Sequence, residues 1–183
     1  MKARISSSEL DAIIDEVIHR TLGDPTANRS GRTRVVTIGA DHRGLDFKAA
    51  MITTIVELGF DVDDCGVEPE VEAADYPEIA ERVALPVAQG RAWRGIVIDG
   101  AGIGSAMAAN KIPGVRAALC YNQATAANSR EHNNANVLSL GSGMIGIALA
   151  QSIVATWLTT DFGGGRHAKR VDKITEMEAR YRA

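Results

Sequence analysis

Short apolar runs alternate along this chain with longer stretches in which apolar residues recur every three to four positions. The runs are Val35-Val36-Thr37-Ile38, Phe60 to Val62, Ile96-Val97-Ile98, Val115 to Leu119 and Val137 to Leu140. They are brief and mostly apolar, the pattern of strands covered on both faces. Helical periodicity fills the intervals: Phe47 to Leu58, ended by Gly59; Tyr76-Pro77 through Val87; Ser105 to Lys111, closed by Pro113-Gly114; Ala124 to Arg130; Ile145 to Leu158; and Asp172 to Arg182. Pro86 is expected to kink or shorten the helix that contains it. Strand and helix in alternation at short spacing predict an α/β fold, a Rossmann-like, doubly wound, parallel five-stranded sheet with flanking helices. Ligands in such sheets lie beyond the carboxyl ends of the strands. Asp41-His42, Cys65, Asp99 to Gly104 and Gly141 all fall at such ends.

The first 32 residues follow a different plan. Leu10, Ile13, Ile14, Val17, Ile18 and Leu22 form one helical stripe, and Ser6 with Glu9 fits a capping box. Gly23 and Pro25 end it, and a polar linker runs from Asp24 to Thr33. The chain therefore divides into an amphipathic helix with linker, residues 1–32, and a folded domain, residues 33–183. A helix this short needs a surface to cover. That surface is either its own domain or a second subunit, or else another protein for which it is a docking peptide.

Composition narrows the classes. With 183 residues, 45% hydrophobic but only 4% aromatic, the core must be built from Ala, Val, Ile and Leu. A net charge of −3 gives no basic field for nucleic acid, so any anion site must be local. Cys65 and Cys120, the two cysteines, form no CxxC pair, and neither a zinc site nor a disulfide framework is expected. No apolar run is long enough to span a membrane and no signal peptide is apparent, so a soluble, cytoplasmic protein is expected.

The candidate chemistry centres on Arg94 to Gly114. A buried strand, then Gly100, Gly102 and Gly104, then a helix start, place several backbone N–H groups around one concave spot. That spot suits an anion, and Asp99 is a carboxylate beside it. A dinucleotide fingerprint fits poorly, because Ser105 replaces the third glycine and no acidic residue follows about twenty positions on. A small phosphorylated ligand fits better. His132, amid a run of polar amides from Ser129 to Asn136, precedes the fifth strand, at the end opposite Asp99. It is either a helix cap or a functional group completed by a second subunit. Arg166 and Arg170 follow three glycines; on a helix they share a face and could clamp a phosphate, or they form a solvated basic turn. Asp41-His42 reads equally as a catalytic pair or a turn.

Taken together, these segments resemble the type B ribose-5-phosphate isomerase and galactose-6-phosphate isomerase family. The resemblance covers Arg34 to about Tyr181. It rests on Gly39-Ala40-Asp41-His42-Arg43-Gly44, Asp75-Tyr76-Pro77, Gly100-Ala101-Gly102-Ile103-Gly104, Ala108-Ala109-Asn110-Lys111, Arg130-Glu131-His132-Asn133, Asn136-Val137-Leu138, and Gly164-Gly165-Arg166-His167 with Arg170. It implies aldose–ketose isomerisation of a phosphorylated sugar through an enediolate, without cofactor or metal, in a homodimer (or tetramer) whose site takes residues from both chains. It further implies that Asp41 and His42 contact the sugar, and that Gly100, Ala101, Gly102, Ile103 and Gly104 offer N–H groups to the oxyanion. His132 then opens the ring, Asn133 binds substrate, and Arg166 and Arg170 hold the phosphate. Four positions depart from the family pattern. Asp99 stands where the usual base is cysteine, Ser105 where a second branch has glutamate, Gly143 where a phosphate-binding arginine is usual, and Ala101 where a small polar residue is usual. Asp99 is therefore expected to be the base, since carboxylates do abstract protons alpha to carbonyls. The alternative is a sugar-phosphate binder that has lost its base. The N-terminal helix is similar in character to peptides that direct enzymes into bacterial microcompartments, which would make a shell protein a partner of residues 6–23.

Overall fold

The structure is a computed structural model and describes residues 34–41, 44–66 and 75–181. The N-terminal helix and linker expected over residues 1–32 lie outside the described residues, as does His42. The elements follow in the order β1 (Val35–Ala40), α1 (Leu45–Glu57), β2 (Asp61–Asp64), α2 (Tyr76–Ala88), β3 (Arg94–Asp99), α3 (Ile103–Ala109), β4 (Ala117–Leu119), α4 (Gln123–Glu131), β5 (Val137–Gly141), α5 (Ile147–Thr159) and α6 (Gly165–Tyr181). Five strands form one sheet in the order β2-β1-β3-β5-β4, with every pairing parallel.

Alternation along the central strands divides the core in two. Ile96, Ile98, Leu138 and Leu140 pack with Met51, Ile55, Ile153 and Trp157 on one face. Val97 and Val137 pack with Ile79, Val83 and Val87 on the other. Branched aliphatics buried on both faces are what a parallel sheet requires. No described helix is long and apolar enough to cross a membrane.

Several element boundaries shift from the sequence expectation, and three of the differences have a clear physical cause. Helix α2 runs past Pro86 to Ala88. Pro86 lies in the last turn, where it removes a single helical hydrogen bond, and its buried ring joins the core. Helix α3 starts at Ile103, two residues early, because Gly102 takes a left-handed conformation (φ 77°) and turns the chain at once. Helix α6 starts at Gly165, well before Asp172, so Arg166 and Arg170 occupy its opening turns rather than a basic turn.

The end of the sheet where the strands begin is held by arginine. Arg94, the first residue of β3, is buried and donates through Nη1 to the carbonyls of Trp157 (2.6 Å) and Leu158 (3.0 Å) at the end of α5. It lies 3.9 Å from the Trp93 ring and 5.1 Å from that of Trp157. Burial, then the charges of Arg130 and Arg34, pull its pKa down to about 8, still above neutrality. Arg130 donates from Nε to the Thr160 carbonyl beside it. A cation on the last carbonyls of a helix is favourable by dipole and hydrogen bond alike. Replacing Arg94 with alanine should lower unfolding free energy by about 3 kcal/mol, since charged hydrogen bonds are lost and buried carbonyls orphaned. Denaturant melts of Arg94→Ala check this; a loss below about 1 kcal/mol would show that the contacts carry little.

Candidate active site

β1, β3 and β5 end side by side. The register pairs Ala40 with Ile98 and Asp99 with Gly141, which sets Asp41 beside Asp99 and brings the loop after β5 against the glycine loop. The described part of the Asp41 turn is closed by Gly44 N–H donating to the Asp41 carbonyl at 3.0 Å.

The glycine loop is tied down from outside. Its four successive carbonyls, Asp99 to Ala101 and Gly102, each accept from the β4–β5 side. Ser142 N–H donates to Asp99 (2.8 Å), Gly143 N–H to Gly100 (2.9 Å), Tyr121 Oη to Ala101 (2.6 Å) and Ser139 Oγ to Gly102 (2.6 Å). Carbonyls that all face outward turn amides inward. Gly102 also has no room for a side chain, because a Cβ would lie 2.6 Å from Leu119 and 2.9 Å from the Leu140 backbone.

The inward amides have an occupant. Asp99 is buried, and its Oδ1 accepts from the N–H groups of Ala101 (2.8 Å) and Gly102. Its Oδ2 accepts from Ser105 N–H (3.0 Å) and Ser105 Oγ (2.5 Å). The loop is therefore an anion cradle as expected, but the anion is the chain's own carboxylate. The amides of Ala101 and Gly102, expected to await a substrate oxyanion, are engaged in this state, and so is every lone-pair direction of the expected base. The N–H groups of Gly100, Ile103 and Gly104 donate no hydrogen bond to that carboxylate among the described residues. Cys65, at the end of β2, is no substitute base. Burial, then Asp63 and Asp64, push its thiol up to about 11.

The remaining candidates cluster elsewhere. His132 ends α4, and the chain after Gly163 returns to it, with Gly163 N–H donating to the Glu131 carbonyl at 2.9 Å. This return brings the start of α6 against His132. The His132 and His167 rings stack with centroids 4.2 Å apart and planes 5° from parallel. Arg166 Nε faces His167 Nε2 at 3.4 Å. His167 Nδ1 is buried without a hydrogen-bond partner among the described residues. Arg166 and Arg170 share the opening turns of α6, where free amides and helix dipole favour an anion. His167 and Asn128, whose amide meets His132, were missed in the sequence reading. The His167 side chain follows from its place beside Arg166 in the same motif, and Asn128 from its i, i+4 spacing to His132.

This second cluster precedes β5 and so lies toward the start of the strands, whereas Asp99 closes β3 at the opposite end. The described residues thus form two separate clusters. The groove beside the second cluster, about 700 Å³, lies between the β4 edge, α4 and α6, with Arg116, Asn133, Ile174, Met177 and Tyr181 in its walls.

Fold and loop define an α/β protein with an amide-lined glycine loop, filled by its own carboxylate, beyond the carboxyl end of β3 in a parallel sheet. A sequence profile described as "Ribose/Galactose Isomerase" matches residues 36–174, and the chain belongs to that family of isomerases. It is 43% identical over 145 residues to the ribose-5-phosphate isomerase B of Escherichia coli, covering 79% of this chain and 97% of that protein. It is 38% identical over 143 residues to the D-erythrulose-4-phosphate isomerase of Pectobacterium atrosepticum, covering 78% and 94%. Among solved structures, ribose-5-phosphate isomerase B of Clostridium thermocellum superposes with a TM-score of 0.77 at 47% identity, over 80% of this chain and 99% of that one. The type B enzyme of Trypanosoma cruzi gives 0.78 at 41%, over 81% and 100%.

Two outcomes check this geometry. Asp99→Ala should cost about 3 kcal/mol in unfolding free energy, because three amides and the Ser105 hydroxyl lose their acceptor in a buried site; amide exchange at Gly102 and Ser105 should accelerate with it. His167 has its pKa lowered by burial first, then by the charges of His132, Arg166 and Arg170. A base with a depressed folded pKa binds protons more tightly when unfolded, so stability should rise with pH through the ordinary histidine range near about 6.5. His167→Phe should flatten that slope in thermal melts recorded across the range.

Proposed function

We propose that this chain interconverts an aldose phosphate and its ketose through an enediolate, in a site completed by a second copy of the chain. The substrate is a sugar phosphate of four to six carbons. Relatives named for a five-carbon and a four-carbon phosphate fall within that range. Gly143, in place of an arginine, leaves Arg166 and Arg170 as the two phosphate-holding cations and favours a phosphate position different from that of ribose 5-phosphate.

The reading is carried by the carboxylate held in the glycine loop. In the resting site Asp99 carries the negative charge and the amides hold it. When Asp99 takes the carbon-bound hydrogen, that charge leaves the carboxylate and reappears on the substrate oxygen. Amides that held the first anion can hold the second, from nearly the same place, so the donors are organised before the reaction begins. Substrate must first take the amides of Ala101 and Gly102, which frees Oδ1 to act. Asp41 and His42 orient the sugar from the neighbouring strand end. The second copy supplies His132 as ring-opening acid, Asn133 to hold hydroxyls, and Arg166 with Arg170 to hold the phosphate. Exposed Ile103, Met107, Met144 and Ile147 near the loop, and Ile174, Met177 and Tyr181 on α6, give such a partner apolar surface to cover.

The full engagement of the Asp99 carboxylate favours a second reading, a sugar-phosphate binder without proton abstraction. Solvent deuterium exchange into a panel of four- to six-carbon sugar phosphates separates the two. The wild type should exchange, while Asp99→Asn and Arg170→Ala should each be silent. Co-refolding the two silent variants should restore about a quarter of wild-type exchange, because half the dimers are mixed and each mixed dimer has one intact site of two. Binding without exchange in the wild type would establish the binder. Silence in the mixture would place both halves of the site in one chain.

A further inference from the structure

The two oxygens of the Asp99 carboxylate are held by different parts of the chain. Oδ1 accepts from the amides of Ala101 and Gly102 in the glycine loop. Oδ2 accepts twice from Ser105, through its N–H at 3.0 Å and its hydroxyl at 2.5 Å. Ser105 stands in the first turn of α3 and is wholly buried, whereas Ala101 is half-buried. Oδ2 therefore faces the interior and Oδ1 the more open side of the loop. The torsion that turns a carboxylate about its stem is soft, so a single contact leaves the plane of the group free to swing. Two donors converging on one oxygen from the same helical turn restrict that swing. A hydroxyl donating to an ionised carboxylate is also the stronger kind of hydrogen bond.

We propose that Ser105 is a positioning residue for proton abstraction, anchoring Oδ2 of Asp99 so that Oδ1 is the atom that takes the carbon-bound hydrogen. This rests on the reading of Asp99 as the base. Once substrate takes the amides of Ala101 and Gly102, both bonds to Oδ1 are gone. Among the described residues, Ser105 is then what still holds the carboxylate. In the step itself the substrate C–H bond breaks and an Oδ1–H bond forms. The electron pair of the C–H bond becomes the carbon–carbon double bond of the enediolate, and the carbonyl oxygen takes the negative charge. Oδ2 becomes the carbonyl oxygen of a neutral carboxyl and still accepts from Ser105, so the anchor survives the transfer. No further reactant is needed. Ser105 touches no reacting atom; it acts through the carboxylate.

Ser105→Ala, made in the full chain, keeps the N–H, removes the hydroxyl and places a better helix former in α3, so it should still fold. Ser139→Ala is the comparison, since it removes another buried hydroxyl, one that donates to the Gly102 carbonyl from outside the loop. Thermal melts of Ser105→Ala, Asp99→Ala and the double variant test the contact without catalysis. The two losses in Tm should not add, because each change removes the same bond. Losses that add would overturn the proposal. The kinetic readout is solvent deuterium exchange into the sugar phosphate that the wild type exchanges fastest. Ser105→Ala should lower kcat roughly tenfold with KM within about twofold of wild type, because the anchor counts only after substrate has displaced the loop amides. Ser139→Ala should lose clearly less. An undiminished kcat in Ser105→Ala, with Asp99→Asn silent, would leave Asp99 as the base and overturn the positioning role alone. Equal losses in the two serine variants, or a rise in KM as large as the fall in kcat, would show mere support of the loop and overturn it too. Exchange that persists in Asp99→Asn would remove the base itself, a separate failure seen without either serine variant.

Discussion

The site depends on one charge held at the end of a strand. Asp99 closes β3, and its carboxylate collects the amides of Ala101, Gly102 and Ser105 with the Ser105 hydroxyl. Without an anion at that point, three inward amides would face each other in a buried space, which is costly. The outer half of the same loop is fastened through its carbonyls to Tyr121, Ser139, Ser142 and Gly143. Pinned from both sides, the loop has little freedom left to lose when a ligand arrives. That rigidity suits electrostatic catalysis, where donors must be in place before charge develops.

Topology explains why the candidate residues form two groups. Every strand runs the same way, so residues after strands gather at one end and residues between a helix and the next strand gather at the other. Asp41, Asp99 and the glycine loop belong to the first end. His132, Asn133, Arg166 and Arg170 belong to the second. The sheet that aligns each group also keeps the two groups apart.

Much of this was legible in the chain. Buried strands announced themselves as apolar runs, and β3, β5 and α4 appear within a residue or two of the expected positions. The start of α3 was less legible, since it turns on the left-handed Gly102, whose necessity comes from Leu119 and the Leu140 backbone, both distant in sequence. The early start of α6 was hidden for a different reason. Three glycines and a basic cluster carry no helical periodicity, and the turn is held by contact with Glu131 and His132. At the site, an anion cradle could be inferred from spacing alone. That the neighbouring carboxylate would fill it could not, because side-chain direction at a strand end depends on how the loop folds back.

Arg94 from β3 and Arg130 from α4 grip the end of α5 through cation–carbonyl contacts, with the nearby Asp161 charge as a lesser influence on both. Dissolved electrolyte weakens attraction between exposed opposite charges, over distances of about 8 Å at physiological ionic strength. It has little purchase on a guanidinium enclosed by indole rings and bonded to peptide oxygens. The joint between the sheet and its last packed helix is thus insulated from the saltiness of the surroundings, while the ionic contacts at the protein's rim are not.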